Sequence, residues 1–282
     1  MADTNKYTPT VPICEIWPKF ETKAQALERR AKLVRQLLEG DHSAQQLAAK
    51  LAGCNRHRRC GSPICHVCVG ELRCWFICET IACFNDLSAA NPSALRGKVI
   101  AFSAIPREDQ YRQGKLRVAD LLSLNERLKK RHERAGFPLV FAGVDVSLNV
   151  FDNSTSTRRW QLQVYGVVIG CTPDQVRTAL SGLYPAAKRT PRPLKVNRCN
   201  NLAAAVSYAI KPYFGRRVSY IGRNGRRQTR KVPLNSSEIR ELAVWIDQYR
   251  LADRYLLRGC RRKQGKRIVV NAAVRAELLG HQ

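Results

Sequence analysis

Residues 139–151 read LVFAGVDVSLNVF. The even positions, Val140, Ala142, Val144, Val146, Leu148 and Val150, are all apolar, while the later odd positions bring in Asp145, Ser147 and Asn149. A period of two predicts a long strand with one face on a core and polar groups on the other. The polar run DNSTSTRR (152–159) predicts a turn, and Trp160–Gly170, WQLQVYGVVIG, a returning strand with Gln161, Gln163 and Tyr165 on one face. Upstream, Lys98–Pro106 (KVIAFSAIP) is apolar on both faces, as a central strand is.

Helices are predicted around these strands. Residues 118–135 place Leu121, Leu124 and Leu128 inward and end in the basic run KKRHER. Thr172-Pro173-Asp174-Gln175 combines an N-cap, a proline at N1 and a capping-box glutamine. The basic segment KRTPRPLKVNR predicts a short edge strand, and Asn200 or Asn201 caps the helix LAAAVSYAIK, which stops at Pro212. Before the strands, residues 21–53 predict two helices, with Leu27, Ala31, Val34 and Leu38 as the apolar stripe of the first and Ser43 as cap of the second. A third helix is expected at about 69–89, with Leu72, Phe76, Cys83 and Leu87 inward. After the strands, VSYIGRNGRRQTRKV predicts a hairpin with Asn224-Gly225 in a type I′ turn, and Asn235-Ser-Ser-Glu238 opens a last helix. The expected fold class is α+β, an antiparallel sheet with flanking helices. We divide the chain into N-terminal helices (1–53), a cysteine-rich knot and helix (54–95), the sheet domain (96–214), and a basic hairpin with a C-terminal helix (215–282).

Lysine and arginine number 49 against 22 acidic residues, a formal net charge of +27. A chain this basic repels itself unless a polyanion is at hand, and nucleic acid is the expected partner: its phosphates attract these side chains and release counterions on binding. Membrane is not an expected partner, since no stretch reaches the ~18 apolar residues of a spanning helix. The start, MADTNKYTPTVPIC, has no apolar signal region, so a reducing cytoplasm is expected. In that compartment the 11 cysteines read as metal ligands or small buried hydrophobes. Cys54, Cys60, Cys65 and Cys68 stand with five, four and two residues between them, and this pattern predicts a closed structural zinc site. His57 and His66 are alternative ligands, and Cys74, Cys78 and Cys83 are assigned to packing.

Tyr208-Ala-Ile-Lys211 lies on the helix that follows the strands. The order strand, helix, strand, strand, helix, then a helix with Tyr-x-x-Lys resembles the HUH endonucleases, which include rolling-circle replication initiators and related transposases. The resemblance covers about 98–214, or 54–214 with the cysteine knot. It implies a ferredoxin-like sheet, a nucleophilic tyrosine at Tyr208 supported by Lys211, and an acidic residue near the metal at Asp145. Where the family has its two metal-binding histidines, this chain carries Gln163 and Tyr165. Glutamine offers a weak carbonyl oxygen and neutral tyrosine is a poor ligand, so magnesium or manganese is expected to bind weakly there.

The basic residues are grouped: Lys188, Arg189, Arg192, Lys195 and Arg198 before the tyrosine helix, and Arg258, Arg261, Arg262, Lys263, Lys266 and Arg267 near the end. Arg216, Arg217, Arg223, Arg226, Arg227, Arg230 and Lys231 decorate the hairpin and are the candidate DNA contacts, with Tyr213 and Tyr220 available to stack on unpaired bases. The first expectation is a DNA-binding protein on an initiator-like scaffold with metal-dependent nicking lost or impaired, acting in replication or regulation of a mobile element. An active tyrosine nickase is the second reading and an RNA-binding module the third.

Overall fold

The structure is a computed structural model that describes residues 20–151, 158–187, 190–263 and 267–280. Residues 152–157 of the turn predicted over 152–159, Lys188, Arg189, Lys266 and the Arg227 side chain lie outside the described residues, while Arg158 and Arg159 of that turn are strand. The fold is α+β, with eight α-helices among the described residues around a mixed sheet.

Helices α1 (Lys23–Leu38), α2 (His42–Ala52) and α3 (His66–Ala90) come first. Strand β1 (Val99–Ala104), the short β2 (Gln110–Arg112) and α4 (Leu121–Arg134) lead into the two long strands, β3 (Leu139–Val150) and β4 (Arg158–Ile169). Then follow α5 (Pro173–Ser181), β5 (Leu194–Arg198), α6 (Leu202–Ala209), β6 (Gly215–Ile221), β7 (Arg227–Val232) and α7 (Ser236–Ile246). The chain closes with β8 (Tyr255–Arg258), β9 (Cys260–Arg262), β10 (Ile268–Val270) and α8 (Ala272–Leu279).

The sheet runs β5-β1-β4-β3-β6-β7, with β2 beside the start of β4 and β8 beside the first half of β3. β3 and β4 pair over their whole length, so Asp145 faces Gln163 across the ladder and Gly143 faces Tyr165. The expectation of a wholly antiparallel sheet needs correction at one place: β6 joins β3 in parallel. α6 crosses one face of the sheet from the β5 side and delivers the chain to the far edge of β3 running in the same direction. A parallel neighbour needs such a crossover, whereas a tight turn gives only antiparallel pairs.

Alternation divides the sheet into two faces. On the even face, Phe102, Val140, Ala142, Val144, Val146, Leu148, Leu162 and Val164 are buried. α4 covers them, with His132 edge-on to Phe102 at 5.5 Å, and α7 docks where Trp160 Nε1 donates to Glu241 at 2.9 Å. On the odd face, α3 packs over one end, where Phe76 meets Phe141 at 6.3 Å, and α6 packs over the middle. The remainder of the odd face is polar.

The helix starts follow their caps. Thr22, Thr172 and Asn235 each form a capping box, and Asn201 caps α6 through a bond from Ala204 N. Two expectations shift by small steps. Asp41, not Ser43, caps α2, because its carboxylate reaches the Ala44 amide. The buried stripe of α1 is Ala26, Leu33 and Leu37, with Leu27 and Leu38 exposed, since two stripes one residue apart compete and the packing partners choose. The hairpin turn also differs. Gly225 is left-handed at φ 68°, but no residue other than glycine has positive φ among the described residues, so Asn224 is not in the type I′ conformation. Gly222 N donates to Arg226 O and Gly225 N to Gly222 O, closing a three-residue loop in which only the glycine takes the left-handed position.

Candidate functional site

The polar part of the odd face is a connected chain of side chains. Lys211 Nζ lies 2.6 Å from Asp145 Oδ2. Gln163 Nε2 donates to the same oxygen at 2.8 Å. Tyr165 donates its hydroxyl to Gln163 Oε1 at 3.0 Å, and Arg217 Nη2 donates to Tyr165 Oη at 2.9 Å. Asp145, Gln163 and Ser147 are buried beneath this chain. Tyr208 stands over it, its ring edge-on to Tyr165 with centroids 4.7 Å apart. Lys231 Nζ donates to Tyr208 Oη at 3.2 Å, and Lys211 Nζ lies 5.2 Å from the Tyr208 ring centre. Tyr208 keeps 37% of its surface open to solvent.

Electrostatics separates the two tyrosines. Burial and the Asp145 charge push the Tyr165 hydroxyl well above its usual range, so it stays a neutral donor. Burial also acts upward on Tyr208, but the charge of Lys211 and the hydrogen bond from Lys231 outweigh it and hold this hydroxyl below its usual range. Beside Tyr208 a groove of about 210 Å³ runs between Ser103, Lys195, Asn197 and Ala205.

Three features hold α6 at this height. Gly143 lies directly beneath it: a Cβ there would stand 2.3 Å from the Ala209 carbonyl oxygen, so only glycine admits the helix. Arg73 on α3 donates through Nε to Ser207 Oγ at 3.0 Å and to its carbonyl oxygen at 3.2 Å. Arg254, buried, donates to Lys211 O at 2.8 Å and to Pro63 O at 3.3 Å, with its guanidinium 5.1 Å from the Phe214 ring centre. Burial lowers the Arg254 pKa to about 10, which leaves it charged at neutral pH. α6 ends at Ala209, so Lys211 is not held by the helical spacing of Tyr208 and Lys211; the Arg254 bond to its carbonyl sets its position.

Four cysteines form a second centre. Cys54, Cys60, Cys65 and Cys68 bring their sulfurs within 4.8 Å of one another, a group that could hold a metal ion such as zinc. Cys54 and Cys68 are 3.6 Å apart, Cys60 and Cys68 3.6 Å, and Cys65 and Cys54 3.8 Å. A tetrahedron with zinc–sulfur bonds of ~2.3 Å has edges of about 3.8 Å, and a disulfide would bring two sulfurs to about 2 Å. The separations therefore fit four thiolates around one ion. Three of the four cysteines are buried, and the Arg30 guanidinium donates to the Cys54 carbonyl. His57 is exposed and His66 is not in the cluster. Cys74, Cys78 and Cys83 lie along α3; Cys83 Sγ donates to Ile268 O at 3.0 Å.

The basic hairpin divides by position. At its root Arg216 pairs with the buried Glu238 at 3.1 Å and Arg217 joins the tyrosine site. Arg223, Arg226, Arg230 and Lys231 are exposed. Tyr213 and Tyr220 are also exposed, with the Arg29 guanidinium 5.1 Å from the Tyr213 ring centre. Sequence reasoning placed Tyr208, Lys211, Gln163, Tyr165 and Asp145 together but not Arg217 or Lys231 beside them. It missed Arg73 and Arg254 altogether. For Arg73 a signal existed, since an arginine between Leu72 and Trp75, in a run of the helix rich in apolar residues, asks for a partner; for Arg254, in a chain with 49 basic residues, none did.

No helix among the described residues is long and apolar enough to cross a membrane. Comparison with family models, with curated proteins and with solved structures returns no match.

Proposed function

We propose that this chain binds a polynucleotide strand, DNA in the first place, along the polar face of its sheet, with the backbone passing between Tyr208 and the groove at Lys195. One observation carries the reading: Lys195, Arg217 and Lys231, from three separate segments, converge on the Tyr165–Tyr208 pair beside an open groove. Cations gathered from distant parts of a chain at one shallow site favour a phosphate-bearing ligand. The finer reading rests on the resemblance to replication initiators, with the metal-binding histidines replaced, and the proposed role is recognition or control at the origin or promoter of a mobile element.

The site does not suit magnesium or manganese. Asp145 supplies the single carboxylate, and the Lys211 ammonium already neutralises it. Gln163 Oε1, the remaining carbonyl donor, accepts from Tyr165. Both ions need several oxygen ligands. We therefore infer that binding needs no divalent ion at this site, and that zinc in the cysteine cluster has a structural part.

A second reading has its own support in the lowered pKa of Tyr208. As a nucleophile its oxygen would form a bond to phosphorus while the bond to the 3′ oxygen breaks and that oxygen takes up a proton. One experiment separates the two. Wild type and Tyr208→Phe are incubated with labelled single-stranded and supercoiled DNA, with manganese or with chelator, and resolved under denaturing conditions. Binding without an adduct supports the first reading. An adduct that disappears in Tyr208→Phe overturns it in favour of strand transfer, and binding of RNA in preference to DNA of equal length overturns the choice of DNA.

A further inference from the structure

The β6–β7 ribbon outruns the sheet it belongs to. β3 pairs with β6 as far as Val150 and Val218, whereas β6 and β7 stay paired to Ile221 and Arg227. Three further residues at ~3.3 Å each carry the ribbon about 10 Å beyond its last pairing with β3. The loop from Gly222 to Arg226 adds to that reach.

What stands at the end is unusual for its surroundings. The part of the ribbon beyond Val218 carries Ser219, Tyr220, Gln228 and Thr229. Ile221, the last paired residue, is 66% exposed, more than any other large hydrophobic among the described residues. Strand propensity alone does not explain it, because threonine satisfies the same preference without exposing four carbons, as Thr229 does opposite Ser219. Arg223 and Arg226 flank it in the loop, both exposed.

We propose that this tip enters the minor groove of duplex DNA and that Ile221 wedges against a base-pair step, with Arg223 and Arg226 on the flanking phosphates. The inference rests on the polynucleotide reading above. Its occupant follows from charge and shape together. An apolar point ringed by guanidinium groups matches a surface that is itself apolar in the middle and anionic on both sides, and stacked bases between two phosphate rows are such a surface. Insertion of an isoleucine-sized wedge from the minor groove unstacks and kinks a duplex. The reach is sufficient, since the groove is ~7.5 Å deep.

The ribbon also fixes where the disturbance falls. Its root is part of the tyrosine site, through Arg217 on Tyr165 and Lys231 on Tyr208. Ile221 has the same parity in β6 as Arg217 and stands four residues further, about 13 Å at strand spacing. The wedge loosens the stack near the tyrosine site at the ribbon's root and so releases the unpaired strand that the groove beside Lys195 takes.

The test uses the full chain and A·T-rich duplexes bearing 2-aminopurine at successive positions, with a donor and acceptor dye at the ends. Wild type is expected to bind, to raise 2-aminopurine emission over one or two adjacent positions, and to shorten the end-to-end distance. Ile221→Ser is expected to bind within about threefold of wild type yet lose both signals, and Ile221→Leu to keep them. Undiminished emission and bending with Ile221→Ser overturn the wedge and leave the polynucleotide reading standing. Binding confined to single-stranded DNA overturns the wedge alone, binding confined to RNA overturns the wedge and the choice of DNA, and no binding of any nucleic acid overturns the wedge and the polynucleotide reading together.

Discussion

Replacing Lys211 with methionine strands a carboxylate. Asp145 has no exposed surface, and its Oδ2 is held by Lys211 Nζ at 2.6 Å and by Gln163 Nε2 at 2.8 Å, while Oδ1 has no hydrogen-bond partner among the described residues. Removing one member of a buried ion pair costs about 3–5 kcal/mol, because the other charge remains without compensation. Here the Gln163 bond survives and the Arg254 charge lies nearby, so the lower end applies, about 3 kcal/mol. With a urea slope of about 2–3 kcal/mol/M, the unfolding midpoint of Lys211→Met falls by about 1 M at pH 7. Pairing the change with Asp145→Asn removes the charge altogether, so the double variant regains most of the midpoint, a coupling the double-mutant cycle reads directly. A single variant within about 0.2 M of wild type, or a double variant no better than the single, refutes the view that Lys211 serves as the buried counter-ion of Asp145.

Gly143→Ala places a methyl group against the Ala209 carbonyl and lifts α6; a loss of about 1–3 kcal/mol is expected in thermal or urea unfolding, together with weaker single-strand binding. Elemental analysis of protein purified without chelator is expected to find one zinc per chain, and Cys54→Ser or Cys68→Ser to lose it along with protection of residues 54–68 from protease. His132 is buried between Phe102 and Phe137, and burial lowers its pKa to about 4. The unfolded chain therefore takes up this proton first: stability falls as pH drops from ~6.5 toward 4, and His132→Leu flattens that part of the stability profile. Replacing Arg223, Arg226 and Arg230 together with alanine is expected to reduce the salt slope of duplex binding by about 2–3, close to one for each phosphate no longer neutralised; an unchanged slope shows these residues do not touch the backbone.

The two long strands were legible because each side chain declares its face: the even positions of 139–150 all enter the core, and Asp145 and Gln163 meet across the ladder as the alternation requires. Caps were legible for the same local reason, since Thr172 and Asn235 need only residues within three positions. The parallel placement of β6 was not legible. It depends on the path of α6 over the sheet, which no local pattern encodes. Strand β8 was missed because Tyr255–Arg258 offers only four residues with no clear alternation. Within the site, the sequence order showed which residues lie on the central strands and the tyrosine helix. It could not show that Arg217 and Lys231 return to it, because that follows from how distant strands pair and where α6 is seated over them.

Arg254 bonds to Pro63 and to Lys211, and the strand that follows it pairs with β3 across more than 100 positions of sequence. During synthesis the tyrosine helix therefore emerges well before the residues that seat it. Contacts so far apart form late and slowly, and until Arg254 is in place the backbone at Lys211 lacks the bond that sets its position. The tyrosine site is therefore complete only after the segment carrying Arg254 has followed the tyrosine helix out of the ribosome.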